Sequence, residues 1–310
     1  MKRFIYRTIV FLVVFALICS IPLYIFEIKA KECSSKDPYQ RINYVSGLVN
    51  SNADLIILGN SRAANSYNDS ILSLLIGLKC LNLGWSGYPF DYQYNVMYKT
   101  YIKQNKSPHY VLLEVSPYAF FDYANPNYII ELLPYINRPE FKFYVELCPE
   151  LSWVDKILFL KYAGKLNKVR KELVSFKPSE QKIEKIKKEK KMKCYSNDVG
   201  GQHSVECNTS IIRIFNTFID ECLENDIKVI LICSPIHIKD GASYFDMEGF
   251  WKIIYQCIEN KEIMVLNYQD FFGNDTIYFQ DPVHLNYYGR DCYTEKVAHD
   301  LDSLKLIDKK

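Results

Sequence analysis

The chain has 310 residues, of which 49% are hydrophobic and 15% are aromatic. This is enough apolar sequence for one sizeable domain with an appendage, or for two small domains. The formal net charge is only +2, so the composition gives no sign of a nucleic-acid-binding protein or of an acidic protein with cationic partners.

The N-terminus has the pattern of a membrane anchor. Lys2, Arg3 and Arg7 precede an uncharged stretch from Thr8 to Phe26, which as a helix would span roughly the hydrocarbon core of a bilayer. A cleaved signal peptide is the alternative, but bulky residues follow Ser20 where a cleavage site needs small ones. We therefore predict that residues 1–29 form a cytoplasmic stub and an uncleaved transmembrane helix. The positive flank predicts a single-pass topology in which the rest of the chain lies outside the cytoplasm, beginning with a linker over residues 30–44.

Short apolar runs then alternate with helical patterns over residues 45–310. Five runs predict buried strands: Asp54–Leu58, Cys80–Leu83, Tyr110–Val115, Lys228–Cys233 and Ile263–Asn267. Apolar residues at helical spacing predict three helices: Ser210–Leu223, Phe250–Ile258 and Glu295–Leu304. This alternation is typical of a doubly wound α/β domain with a parallel sheet covered on both faces. Ligands of such sheets bind beyond the carboxyl ends of the strands.

One segment, at about residues 125–201, shows no strand pattern and is predicted to be a helical insertion between the third and fourth strands. Its second half, Lys177–Lys193, carries eight lysines and three glutamates. Such a run is either a solvated helix and loop or a basic arm that contacts anionic lipid headgroups or an acidic surface polymer.

A candidate nucleophile follows the first predicted strand, in the segment Leu58-Gly59-Asn60-Ser61-Arg62. A serine between a buried strand and a helix presents its hydroxyl at the ligand-binding edge. Its backbone N–H then lies at a helix N-terminus, which favours developing negative charge. The alternative is that Ser61 only caps the helix. Arg62 either binds an anionic group of a substrate or forms a salt bridge near the helix start.

A candidate base lies far away in sequence, in Asp281-Pro282-Val283-His284. Serine hydrolysis needs an imidazole that accepts the serine proton and a carboxylate that holds the tautomer of that imidazole. Asp281 and His284 supply both from one turn, which should emerge at the same edge of the sheet as Ser61. The sequence therefore predicts a Ser61–His284–Asp281 triad.

No cofactor or metal is predicted for this site. Cys194, His203 and Cys207 lack a fourth ligand at zinc-like spacing. The chain also lacks the glycine-rich patterns of nucleotide-binding proteins.

Three segments, in this order, resemble the first, second and last sequence blocks of the SGNH (GDSL-like) hydrolase family: Gly59–Arg62, Asn82–Gly87 and Asp281–Asn286. The resemblance implies a three-layer α/β/α sandwich with a five-stranded, flavodoxin-like parallel sheet. It also implies Ser61 as nucleophile, His284 as general base and acid, and Asp281 as its orienting partner. The backbone N–H groups of Ser61 and Gly87 would stabilise the oxyanion.

The chain departs from the family pattern at the third block, which usually supplies an asparagine as a further oxyanion donor. Here the third strand ends in Leu113-Glu114-Val115-Ser116. Loss of one such donor costs about 10²–10³ in rate. Either Ser116 or another group replaces it, or the enzyme is slow, or the site is inactive. His237, after the fourth predicted strand, either contributes to substrate binding or has no role.

The anchor, the Ser-Pro-Tyr ending of the third strand and the insertion loosely resemble the membrane-anchored SGNH-like proteins of cell-surface polysaccharide acylation. We therefore expect an extracytoplasmic serine esterase or O-acyltransferase that acts on acyl esters, such as acetyl esters, of a cell-envelope glycan. An acylated polysaccharide or a small acyl ester is the expected substrate, and a membrane protein that delivers acyl groups is a candidate partner. The alternative is a catalytically weak or inactive binding or scaffold protein in cell-surface polymer assembly.

Overall fold

A computed structural model defines the fold over most of the chain. It describes residues 1–33, 39–120, 132–137, 162, 169–171, 207–237 and 246–307. Two compact units are present, one formed by Met1–Gly47 with Ala124–Ile183 and the other by Leu48–Tyr123 with Glu184–Lys310. Most of the predicted insertion, including the whole lysine-rich stretch 177–193, lies outside the described residues.

The first unit begins with a long apolar helix, α1, over Lys2–Glu32. The mean hydropathy of its most apolar window is 2.8, so the helix is long and apolar enough to cross a membrane. Most residues before Leu23 are exposed. By contrast, Leu23, Phe26 and Ala30 are buried, so the C-terminal end of α1 belongs to the core of this unit.

A second helix, α2, covers Tyr39–Gly47. The range 30–44 predicted as a linker therefore contains the end of α1 and much of α2. The physical reason is that Tyr39, Ile42 and Val45 recur at helical spacing and are fully buried. The ring of Tyr39 packs edge-on against Phe26 of α1 at 6.2 Å between centroids.

The second unit is built on a five-stranded parallel sheet. Its strands are β1 (Leu55–Leu58), β2 (Cys80–Asn82), β3 (Tyr110–Glu114), β4 (Lys228–Cys233) and β5 (Met264–Asn267). Their order is β2-β1-β3-β4-β5, with every neighbouring pair parallel. Leu58 lies beside Leu113, and Leu113 beside Leu231, so these strands end at one edge. The predicted parallel α/β fold is confirmed, and each predicted strand matches its observed bounds to within one residue.

Helices flank this sheet. Their bounds are α3 (Ser61–Ser66), α4 (Asp69–Ile76), α5 (Phe90–Tyr92), α6 (Lys99–Gln104), α7 (Thr209–Glu224), α8 (Met247–Cys257) and α9 (Tyr287–Ser303). A π-helical turn over Gln93–Tyr98 joins α5 to α6. The last helix begins earlier than the predicted Glu295 because the Asn286 side chain caps it, accepting a hydrogen bond from the Gly289 N–H at 2.9 Å.

Different helices cover the two faces of the sheet. Ile57 and Leu112 point toward one face, where they form a core with Leu72 of α4 and Leu301 of α9. Successive strand residues point to opposite faces, so the other strand residues line the second face, where α7 packs against β4. The predicted burial of both faces is confirmed.

A small antiparallel ribbon follows β5. It consists of β6 (Phe279–Asp281) and β7 (His284–Leu285), and it pairs Asp281 directly with His284. The sequence predicts only a turn at this position. Such a short ribbon carries too few residues for an alternating apolar pattern to show.

The backbone at Gly59 generates a first prediction. Its φ is +141°, and a Cβ atom there would lie 2.7 Å from the Glu114 Cβ and 2.8 Å from the Ala63 Cβ. Gly59→Ala should therefore combine backbone strain with a steric clash and lower the free energy of unfolding by about 3 kcal/mol or more. Gly77→Ala is the matched control, because Gly77 has φ +73° with nothing within 4 Å of its Cβ position. Its expected cost is about 1 kcal/mol. If Gly59→Ala and Gly77→Ala lost equal free energies of unfolding in urea denaturation, the steric clash at residue 59 would not be the cause.

Candidate active site

Ser61 is placed by the turn that leaves β1. Asn60 is the N-cap of α3, and its Oδ1 accepts a hydrogen bond from the Arg62 N–H at 3.0 Å. The alternative that Ser61 itself is the cap is therefore wrong. As the first residue of α3, Ser61 is half-buried at the carboxyl edge of the sheet. Among hydrogen bonds between described residues, none uses its backbone N–H.

Asp281 and His284 are placed by the β6–β7 ribbon. The Asp281 Oδ1 accepts hydrogen bonds from the N–H groups of Val283 at 3.1 Å and His284 at 2.9 Å. The same carboxylate lies 2.9 Å from the His284 Nδ1 through each of its oxygens. One aspartate thus shapes the turn and orients the imidazole that the turn carries.

The two distant segments meet at the carboxyl edge of the sheet. The Oγ of Ser61 lies 2.7 Å from the Nε2 of His284, within hydrogen-bonding distance. With Nδ1 donating to Asp281, Nε2 is the unprotonated nitrogen that can accept the serine proton. The three residues predicted as a triad are therefore hydrogen-bonded in series, the arrangement in which a serine is activated for attack on an acyl group.

The end of β2 and the segment after it are tied to the turn and helix that carry Ser61. The Trp85 N–H donates to the Gly59 carbonyl at 2.8 Å, and the Asn82 Nδ2 donates to the Ala63 carbonyl at 2.9 Å. Gly87, the predicted oxyanion residue, is exposed in the turn beyond them with φ +81°. Trp85 is fully buried and stacks on Tyr88 at 3.8 Å, so these aromatic side chains contribute to packing.

Arg62 does not face a substrate. Only 3% of its surface is exposed, and its Nε lies 3.3 Å from the Glu114 Oε1 and 3.1 Å from the Ser234 Oγ. Its Nη2 also donates to the Ser234 carbonyl. The structure therefore supports the salt-bridge alternative for Arg62 and not the substrate-binding one.

Ser116 and His237 are also buried. The Ser116 Oγ accepts a hydrogen bond from the Asn60 Nδ2 at 2.9 Å, so it braces the helix cap beside Ser61. The His237 N–H donates to the Pro282 carbonyl at 2.9 Å, and its Nε2 lies 3.1 Å from the Asn274 carbonyl. Both residues lie at the predicted edge, but their contacts hold the turns that carry Ser61 and His284.

Sequence reasoning missed Glu114, which ends β3 and is 1% exposed. Its carboxylate accepts hydrogen bonds from the Tyr67 hydroxyl at 2.7 Å and from the Ser234 Oγ at 2.8 Å and N–H at 3.0 Å. Burial raises the pKa of Glu114 above its ordinary value, although Arg62 and these donors act in the opposite direction. One charged residue in an otherwise apolar strand was the available signal, since a buried charge requires a partner.

Within the described ranges, no group of three or more His, Cys, Asp or Glu side chains could hold a metal ion. Cys194 and His203 lie outside these ranges.

Comparison with known proteins adds no family assignment. A scan against protein-family models gives no match, and a search of curated proteins gives none either.

The Asp281 carboxylate predicts a pH dependence of stability. Burial acts to raise its pKa, but the hydrogen bond and charge of His284, with the two backbone N–H groups, lower it below its ordinary value of 3.8. Such a group stabilises the fold above its ordinary pKa, and the stabilisation is lost as the pH falls through the lower pKa of the folded state. Wild type and Asp281→Asn should therefore differ most in unfolding free energy near neutral pH and less below about pH 3.8.

Urea denaturation at a series of pH values measures this difference. The effect should be modest because the carboxylate is 37% exposed and solvent screens it. Asp270→Asn, at an exposed aspartate, is the control. A difference between wild type and Asp281→Asn that stays constant with pH would argue against the stabilising hydrogen bonds.

Proposed function

We propose that this protein is a membrane-anchored serine esterase or O-acyltransferase of the SGNH type. The observation that carries the proposal is the hydrogen-bonded series of Ser61, His284 and Asp281. Its members come from segments more than 200 residues apart in sequence, yet their side chains meet at one edge of the sheet. The resemblance of their flanking residues to SGNH blocks supports the same conclusion.

In the proposed reaction, the Ser61 Oγ attacks the carbonyl carbon of an ester while its proton passes to the His284 Nε2. The tetrahedral intermediate collapses as the ester C–O bond breaks, and the leaving oxygen takes the proton from His284. This leaves an acyl group on Ser61. A second hydroxyl then gives its proton to His284 and attacks the acyl carbon, and Ser61 recovers the proton as it leaves. Asp281 stays ionised and stabilises the imidazolium that forms twice in the cycle.

The developing oxyanion would be stabilised by backbone donors. The Ser61 N–H lies in the first turn of α3, where the helix dipole favours negative charge. The Gly87 N–H is the proposed second donor, since its turn is tied to the Ser61 turn through Trp85. Ser116 is not proposed as a third donor, because it is fully buried against Asn60.

The acyl acceptor decides between the two enzyme classes. Water makes the protein an esterase, and a sugar hydroxyl makes it an O-acyltransferase. An anchored domain outside the cytoplasm would meet the acyl esters of a cell-envelope glycan, and this location supports an acylated polysaccharide as substrate. A membrane protein that supplies acyl groups would then be the partner of a transferase.

The anchoring role of α1 is supported by the way its C-terminal end is built into the first unit. The Tyr135 hydroxyl donates to the Ala30 carbonyl at 2.9 Å, and the Tyr162 hydroxyl to the Glu27 carboxylate at 3.2 Å. Cleavage by a signal peptidase is disfavoured, because bulky residues follow Ser20 where a cleavage site needs small ones. We therefore propose an uncleaved anchor with its basic N-terminal flank in the cytoplasm.

A serine-directed fluorophosphonate tests the enzymatic proposal. The purified full-length protein should be labelled, whereas Ser61→Ala should not. Ser210→Ala, at an exposed serine in α7, should be labelled like the wild type. Hydrolysis of a small acyl ester should fall by on the order of 10⁴-fold or more in Ser61→Ala and in His284→Ala.

Because nucleophile and base act as a unit, the double variant Ser61→Ala/His284→Ala should be no slower than either single variant. Correctly folded wild-type protein that is never labelled would refute the enzymatic proposal. That result would favour a binding or scaffold protein, the alternative suggested by the missing third-block asparagine.

The anchor proposal predicts that protein extracted from membranes keeps α1, which its intact mass will show. A mature chain that begins after α1 would contradict the anchor proposal.

The buried end of α1 generates a separate prediction about stability. Phe26→Ala, which empties a fully buried position, should lower the free energy of unfolding of the first unit by about 3–5 kcal/mol. Phe11→Ala is the matched control, because Phe11 is 66% exposed and its loss should leave that stability unchanged.

A further inference from the structure

We propose that the buried Arg62–Glu114 ion pair, acting through Ser234, is a positioning device that holds Ser61 within hydrogen-bonding distance of His284. This inference rests on the proposed function, because it assigns positioning residues to the same reaction. Neither Arg62 nor Glu114 touches the reacting atoms.

The pair is attached directly to the nucleophile. Arg62 follows Ser61 in the chain, so the position of its side chain constrains the backbone that carries the Ser61 hydroxyl. The guanidinium contacts Glu114, the hydroxyl of Ser234 and the carbonyl of Ser234. Contacts in several directions fix both the location and the orientation of a planar guanidinium.

The first route from this pair to the general base runs through the segment after β4. Ser234 donates to Glu114 from both its N–H and its Oγ. Three residues later, the His237 N–H donates to the Pro282 carbonyl at 2.9 Å, inside the turn between Asp281 and His284. The segment that anchors Arg62 through Ser234 thus also holds, through His237, the turn that carries the imidazole.

The second route runs through two tyrosines. The Tyr67 hydroxyl donates to the Glu114 carboxylate at 2.7 Å and lies 3.2 Å from the Tyr293 hydroxyl. Tyr293 is fully buried in α9, the helix that begins shortly after His284. Glu114 is therefore the common point at which the supports of the nucleophile and of the base meet.

Substitutions can show whether the pair contributes only its charges or also holds Ser61 in position. In Arg62→Met/Glu114→Gln both charges are removed together, which leaves no unpaired buried charge and should preserve folding. Arg62→Lys keeps the charge, but an ammonium group cannot reproduce the planar set of contacts. The control is Lys99→Met/Glu221→Gln, which also removes both charges of an ion pair but acts on a partly exposed pair elsewhere in the unit.

The full-length variants are compared by urea denaturation, by the rate of fluorophosphonate labelling and by the Ser61 Oγ to His284 Nε2 distance in crystal structures. A folded Arg62→Met/Glu114→Gln should label about 100-fold more slowly than wild type, with that distance increased beyond 2.7 Å. Arg62→Lys should also label more slowly, and the control pair should label like wild type. Wild-type labelling and an unchanged distance in the folded Arg62→Met/Glu114→Gln would overturn the proposal.

If Arg62→Met/Glu114→Gln does not fold, the variant Ser234→Ala tests the positioning proposal instead. It keeps both charges and removes the hydroxyl that links them, so labelling should slow roughly 10-fold; a wild-type rate would overturn the proposal. If wild-type protein is never labelled, the proposed function fails by itself. The positioning proposal is then judged on the distance alone, and an unchanged distance in the variants would overturn it.

Discussion

The structure around the candidate site depends on one electrostatic constraint, the burial of the Glu114 carboxylate at the end of the central strand β3. Removing one partner of a buried ion pair typically costs about 3–5 kcal/mol, because the remaining charge is left without compensation. Arg62, Tyr67 and Ser234 provide that compensation from α3, the segment that follows it, and the end of β4. The requirement to satisfy one carboxylate therefore fixes the relative positions of several elements at the carboxyl edge of the sheet.

The candidate triad is assembled at this edge of the sheet from two chemically different segments. Ser61 comes from the turn that leaves β1, and it keeps its hydroxyl available because Asn60 serves as the helix cap. His284 comes from a short ribbon in which Asp281 both shapes the turn and accepts from the imidazole. The final contact between Ser61 and His284 is a single hydrogen bond of 2.7 Å.

The long N-terminal helix combines two physical environments. Its first part exposes large apolar side chains such as Phe4, Phe11 and Leu17, which suits a hydrocarbon surround. Its last turns bury Phe26 and Ala30 among the tyrosines of the first unit. The same helix can thus serve as an anchor and as part of a folded core.

Local pattern alone predicted the five strands, the helix Thr209–Glu224 to within one residue at each end, and the long apolar helix at the N-terminus, because apolar runs such as Lys228–Cys233 are visible in the sequence itself. It also predicted Ser61, Asp281 and His284 as a candidate triad, since the chemistry of a triad restricts the residue types that can follow a strand. Tertiary structure alone decided that Arg62 pairs with Glu114 and that Ser116 and His237 brace the turns that carry Ser61 and His284. Those outcomes depend on which residues meet across the fold, and a contact between distant residues leaves no periodic trace in one sequence.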